Sequence, residues 1–263
     1  MAQLQRLAVT AAQILANKID LTKEQQHYLN RVLRLQAGDR FIAMDGRGHW
    51  WLAILEAQET GLFASITEEI VANRELPVAV TLMAALPKGN GFDEVVRQAT
   101  ELGVASIVPV TSDRTLLKPS AQKVDRWRRI AAEAAEQSER QIVPTVVEPV
   151  PFDVAVKDCS QKYRFICVAR GDNRHLWDCL SGLEPPQPPL LRGEPELESI
   201  AIAVGPEGGW TDGEVKRAIE FGFEPVSLGS RILRAVTAPM VALSLVGAAF
   251  EKCQFPKNSS EIC

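Results

Sequence analysis

The stretch Val204-Gly205-Pro206-Glu207-Gly208-Gly209-Trp210-Thr211 decides the fold. It follows residues 200–204, an apolar, β-branched run that suits a buried parallel strand. It precedes Thr211-x-x-Glu214, a capping box that opens a helix. Strand, glycine-rich turn and helix in this order mark an α/β unit, and the crevice beyond the strand's carboxyl end is the usual ligand site in such a sheet. Three glycines and a proline within residues 205–209 give a sharp turn with exposed backbone amides. The plainer alternative is a tight structural turn. A phosphate loop fits less well, because neither Gly-Lys-Ser/Thr nor GxGxxG spacing is present.

Working outward, the same rhythm runs from residue 78 to the end. Residues 78–86, 106–110, 163–169 and 226–228 read as strands. Phe92, Val95, Val96, Ala99 and Leu102 fall at helical spacing, with Gly103 placed to end that helix. Residues 124–140 read as a charged helix and 237–252 as an apolar C-terminal one, while the proline-rich residues 185–195 read as a loop. The N-terminal part differs. A helix capped by Thr22-x-x-Gln25 runs through His27, Tyr28, Arg31 and Arg34 and ends before Gly38. Strands follow at residues 40–44, 50–56 and 62–66, the first two joined by the Asp45-Gly46 hairpin signal. The reading is two domains, 1–73 small and β-rich and 77–252 α/β, with a frayed tail at 253–263.

The 263 residues carry a net charge of −4, which runs against a nucleic-acid partner for the chain as a whole. The charge is uneven, however. Residues 1–50 hold seven Lys/Arg against four acids, a local excess able to meet phosphates. The five cysteines form no CxxC pair and no His spacing supplies a metal site, so they read as reduced cytosolic thiols with no metal. Neither a signal peptide nor a membrane-length apolar run is present, which points to a cytoplasmic protein without a membrane partner.

Three further segments carry chemistry. Residues 228–239, Leu228-Gly229-Ser230-Arg231-Ile232-Leu233-Arg234-Ala235-Val236-Thr237-Ala238-Pro239, set two arginines three apart before the last helix. They form either a solvated basic turn or an irregular loop turned on an anionic substrate. Lys88-Gly89-Asn90-Gly91 leads into an amphipathic helix, which taken alone is an ordinary surface helix. Arg126-Trp127-Arg128-Arg129 reads as arginines around an exposed tryptophan, suited to phosphates and stacked bases, or else as a solvated helix face.

Taken in order, KGNGFDEVVRQATELGV, RWRRIAAEAAEQSER, VGPEGGWTDGE and LGSRILR resemble the RsmE family of 16S ribosomal RNA (uracil-N3)-methyltransferases, in the SPOUT superfamily. The stretch His27-Tyr28-Leu29-Asn30-Arg31-Val32-Leu33-Arg34 resembles that family's PUA-like RNA-binding domain. The resemblance implies a trefoil-knotted methyltransferase domain, S-adenosylmethionine as cofactor, a homodimer, and ribosomal RNA in the assembled small subunit as partner. It places the cofactor against Leu86, Gly205, Pro206, Glu207, Gly208, Gly209, Leu228, Gly229, Ile232 and Leu233, with catalysis at Arg231 and Arg234. RNA contacts would fall at Arg31, Arg34, Lys88, Arg126 and Arg128. One departure stands out. The family pattern after the second arginine is Thr-Glu-Thr, whereas this chain reads Ala235-Val236-Thr237.

Methyl transfer from a sulfonium is an in-line displacement, mostly a matter of alignment. Uracil N3 becomes a nucleophile once its proton is lost, and the two arginines can stabilise the charge then carried by the carbonyl oxygens. N3 is hidden in a base pair, so the target base must be unpaired or flipped out. Two alternatives share these residues: a SPOUT enzyme for another RNA nucleoside, and a non-catalytic RNA-binding or ribosome-assembly protein.

Overall fold

A computed structural model describes residues 4–58, 61–70, 74–115, 119–183 and 199–251. The loop expected at 185–195 and the tail at 253–263, with Cys253 and Cys263, lie outside the described residues. The chain divides into two units, Met1–Glu75 with Ala132–Val143, and Leu76–Ala131 with Pro144–Cys263.

In the first unit, alternation sets the sheet. Strands β1 (Arg6–Ala8), β2 (Ile14–Leu15), β3 (Lys18–Asp20), β4 (Arg40–Met44), β5 (Trp50–Gln58) and β6 (Gly61–Ile70) lie in the order β1-β4-β5-β6-β3-β2. Phe41, Ala43, Ala53, Leu55 and Ala64 share one apolar cluster with Leu29 from the helical segment. Only three of the six strands are legible by alternation; β1, β2 and β3 are two or three residues long, too short to show a period. The capping box forms as expected: Gln25 N donates to Thr22 Oγ1 at 3.2 Å and Thr22 N to Gln25 Oε1 at 2.9 Å. The helix is shorter than its sequence suggests. Helix α1 (Lys23–His27) widens into a π-helical turn, Tyr28–Val32, and Arg34 at φ +58° turns the chain out of it, well before Gly38. The later segment is fastened to this unit by Glu75, which accepts from the Arg140 guanidinium and from the amides of Gln141 and Ile142.

The second unit is the parallel sheet that residues 200–211 announce. Its elements are β7 (Ala79–Ala85), α2 (Gly91–Glu101), β8 (Ser106–Thr111), α3 (Ala121–Gln137), β9 (Thr145–Val146), β10 (Val150–Pro151), α4 (Phe152–Lys157), β11 (Tyr163–Cys167), α5 (Leu176–Ser181), β12 (Ser199–Val204), α6 (Asp212–Glu220), β13 (Glu224–Val226) and α7 (Thr237–Phe250). The order is β10-β8-β7-β12-β11-β13, with β9 beside β8. Every pairing is parallel. Cys167 is in register with both Val204 and Val226. The loops that follow β11, β12 and β13 therefore leave the sheet side by side. The short elements β9, β10, α4 and α5 lack a sequence signal of their own. The last strand ends at Val226 rather than 228, which frees Leu228 for the loop.

Two local expectations meet different fates. Gly103, at φ +87°, closes α2 as its position suggests. Trp127 is not exposed: it is 0% accessible, packs at a tilt against Phe92 with ring centroids 4.5 Å apart and donates Nε1 to Asp93 at 3.0 Å. The arginines on either side face outward because the indole between them is a core residue of the α2–α3 contact.

Candidate functional site

The three adjacent loops enclose a cavity of about 560 Å³. Its wall comprises Val204 to Trp210 after β12, Cys167 to Arg170 after β11, and Leu228, Gly229 and Arg231 to Leu233 after β13. The sequence-derived residues Gly205, Pro206, Glu207, Gly208, Gly209, Leu228, Gly229, Arg231, Ile232 and Leu233 thus come together at the carboxyl ends of three parallel strands. Arg234 and Leu86 are not in that wall. Leu86 is buried beyond the end of β7, its amide bonded to Val110 O at 3.1 Å.

Each part of the glycine turn has a local reason. Gly209 N donates to Pro206 O at 2.8 Å, closing a turn that holds Gly209 at φ +69°, where a side chain is strained. A Cβ on Gly205 would lie 3.2 Å from the Trp210 indole, which stacks on Phe152 at 4.2 Å in the core beneath. The turn ends at Thr211, whose Oγ1 accepts from Glu214 N at 3.2 Å while Glu214 Oε2 accepts from Thr211 N at 2.7 Å. The capping box is therefore intact. Glu207 reaches sideways, accepting from Lys88 N at 3.0 Å, so the Lys-Gly loop is tied to the cavity turn by its backbone.

The loop after β13 offers a different surface. The backbone amides of Ser230, Arg231, Ile232 and Leu233 have no hydrogen-bond partner among the described residues. Ile232 is an apolar side chain left 66% exposed. Free amides beside apolar side chains suit a ligand that is flat, apolar on its faces and polar at its edge. Burial pushes the Cys167 thiol up to about 12, so this cavity residue stays protonated and is no nucleophile. Among the described residues no group of three or more His, Cys, Asp or Glu has the arrangement of a metal site. Among the described residues no helix is long and apolar enough to cross a membrane.

None of the expected RNA contacts lines the cavity. Arg126 pairs with Asp93 at 2.9 Å, and Arg128 pairs with Asp125 at 3.2 Å and Glu148 at 2.9 Å, so each has an internal partner. Lys88, Arg31 and Arg34 are exposed. Sequence reasoning missed Arg114 and Arg170, both in the cavity wall, because neither sits in a glycine-rich or arginine-rich motif. In the N-terminal unit His49 stacks on Trp51 at 5.7 Å, and its pKa is raised by its hydrogen bond to Glu69.

The chain matches the RNA methyltransferase domain family model over residues 74–247 and the RNA methyltransferase PUA domain model over residues 21–67. It is similar to the ribosomal RNA small subunit methyltransferase E of Synechocystis sp., 46% identical over 248 residues that cover 94% of this chain and 78% of that protein. It is 31% identical to the Bacillus subtilis protein of the same name, over 88% of this chain and 90% of that one. A crystal structure of a ribosomal RNA small subunit methyltransferase E from Neisseria gonorrhoeae bound to S-adenosyl methionine superposes with a TM-score of 0.81 at 30% identity, covering 94% of this chain and 98% of that one. The parallel sheet, the three-loop cavity and these likenesses agree, and the chain belongs to the ribosomal RNA small subunit methyltransferase E family.

Proposed function

We propose that this protein is an S-adenosylmethionine-dependent methyltransferase that methylates N3 of one uridine in small-subunit ribosomal RNA. The observation that carries the reading is the cavity itself: nine of the ten expected cofactor contacts, all but Leu86, line it. The residues present fit the cofactor. The free amides of Ser230 to Leu233 suit the polar edge of a purine, and Leu228, Ile232 and Leu233 suit its faces. S-adenosylmethionine supplies, when bound, an electrophilic methyl group on a sulfonium.

The chain's own part is to hold and to neutralise. Gly205 to Gly209 present backbone and no side chain bulk beyond Pro206 and Glu207, which keeps the cavity open. Arg231 and Arg234 stabilise the charge on the uracil oxygens as N3 loses its proton. A bound cofactor and base would displace water from the cavity, and the electrostatic effect of the guanidinium groups grows as water leaves.

The remaining features of the reading follow the family. Residues 77–252 form the methyltransferase domain, knotted in the SPOUT manner, and residues 1–73 capture RNA through Arg31 and Arg34, with Lys88, Arg126 and Arg128 as further contacts. The active form is a cytoplasmic homodimer acting on the assembled small subunit. Incubation with methyl-labelled S-adenosylmethionine and purified small subunits tests the activity. Label recovered as 3-methyluridine supports it, and label in another nucleoside moves the protein to a different target.

A further inference from the structure

We propose that Arg114 and Arg170, beside the catalytic Arg231, form an arginine rim that grips backbone phosphates of the RNA at the mouth of the cavity. The proposal rests on the methyltransferase reading of that cavity.

Arg114 is placed with care. It lies in a tight turn in which Ser112 N donates to Thr115 Oγ1 at 3.1 Å and Thr115 N to Ser112 O at 2.9 Å. The preceding amide, Asp113 N, donates to Glu214 Oε1 at 2.9 Å. Glu214 is 0% accessible, and its other oxygen accepts from Thr211 N. One buried carboxylate therefore pins the Arg114 turn and the cavity turn together. Arg114 Nη1 then donates to the carbonyl of Gly208. A Cβ on Gly208 would lie 3.1 Å from Arg114 Cδ, so the missing side chain at Gly208 is where the arginine stem crosses. The residue at 208 has a second neighbour to satisfy besides any cofactor.

Charge identifies what the rim faces. Arg114, Arg170 and Arg231 line the same cavity, and none pairs with a carboxylate among the described residues. The wall also holds Glu207 and Asp212, of which Glu207 is engaged by Lys88 N. S-adenosylmethionine carries a sulfonium, an ammonium and a carboxylate, one positive charge in sum. A net cation needs no surplus of arginines around it. A phosphodiester chain does, and the planar guanidinium fork matches phosphate oxygens two at a time. An arginine has five N–H donors, and the Gly208 carbonyl takes one of those on Arg114.

The test uses the full chain and its R114A, R114K, R170A and G208A variants. Affinity for purified small-subunit RNA is measured by filter binding across a salt series without cofactor, and S-adenosylmethionine affinity by calorimetry. R114A and R170A are expected to weaken RNA binding about tenfold each, the worth of one charge-assisted hydrogen bond. Each should lower the slope of log K against log salt by about one, as one lost phosphate contact requires. R114K should keep the slope and lose part of the affinity, and G208A, which asks the stem to move by only a few tenths of an ångström, should keep the slope and lose less affinity than R114A. Cofactor affinity should stay within about twofold in R114A and R170A, since neither is among the ten expected cofactor contacts. If R114A weakens the cofactor and leaves the RNA salt slope intact, the arginine reads the cofactor's carboxylate and the proposal is overturned. The RNA arm needs no turnover, so a wild type without methyl transfer would sink the functional reading and still leave the rim decided.

Discussion

Val236 lies directly over Gly91: a Cβ built on the glycine would sit 2.9 Å from Cγ1 of the valine and 3.3 Å from Cγ of Pro87. The family pattern that residues 228–237 resemble has glutamate where this chain has Val236. Valine here packs the last helix against the first turn of α2 and offers no proton acceptor. Gly91→Ala should therefore overpack the contact and cost about 1–3 kcal/mol of stability. Val236→Ala in the same background should restore most of it. Urea denaturation of the four species gives the coupling. Purely additive effects would show that the two residues do not constrain each other.

The proposed role of Arg234 rests on its guanidinium. Its carbonyl already accepts from Thr237 N at 2.9 Å and Ala238 N at 3.0 Å to start α7, and a side-chain change leaves that intact. Arg234→Ala should lower single-turnover methyl transfer by about tenfold or more, roughly 1.4 kcal/mol of barrier. Cofactor affinity should change little, because Arg234 is outside the cavity wall. Lysine should rescue in part, lacking the planar fork. A full rate in Arg234→Ala would make the arginine structural.

Arg31 lies in the π-helical turn and Arg34 at the left-handed residue just after it, both exposed. Changing both to alanine should weaken RNA binding and lower the salt slope by about one to two, one counterion release per lost phosphate. Circular dichroism should stay native, since neither side chain is in the core. An unchanged slope removes this face from the RNA footprint.

Helix α7 buries Pro239, Ala242, Leu243, Val246 and Phe250, yet Met240, Val241, Leu245 and Ala249 on its other sides are also apolar and only partly covered. A helix with one packing surface would be polar there. The proposed homodimer would cover these side chains with a second copy. Light scattering at micromolar protein should give twice the chain mass, and Leu245→Glu should give the monomer. A monomeric wild type contradicts the assignment.

The legible part of this molecule is the part with strong local signals. Strand 200–204, its glycine turn and the Thr211 box sit next to one another in sequence, so one reading finds strand, cavity wall and helix together. The same holds for Thr22 and Gln25, where both bonds of the box are local. The illegible part is set at a distance. Trp127 reads as exposed because arginines flank it, and only Phe92 and Asp93, more than thirty residues earlier, reveal a core position. Arg114 becomes a cavity residue through Glu214 and Gly208, a hundred residues downstream. The first three strands escape because a two- or three-residue strand has no period, and its place is fixed by pairing partners such as Ile42 and Ala64.

The central claim is the modified base. Small-subunit ribosomal RNA from cells with and without this protein, digested to nucleosides and measured by mass spectrometry, tests it most directly. Loss of one 3-methyluridine per subunit in the deleted strain, restored by the wild-type chain, is the result the account predicts. An unchanged 3-methyluridine content, with or without the loss of another methylated nucleoside, would contradict it.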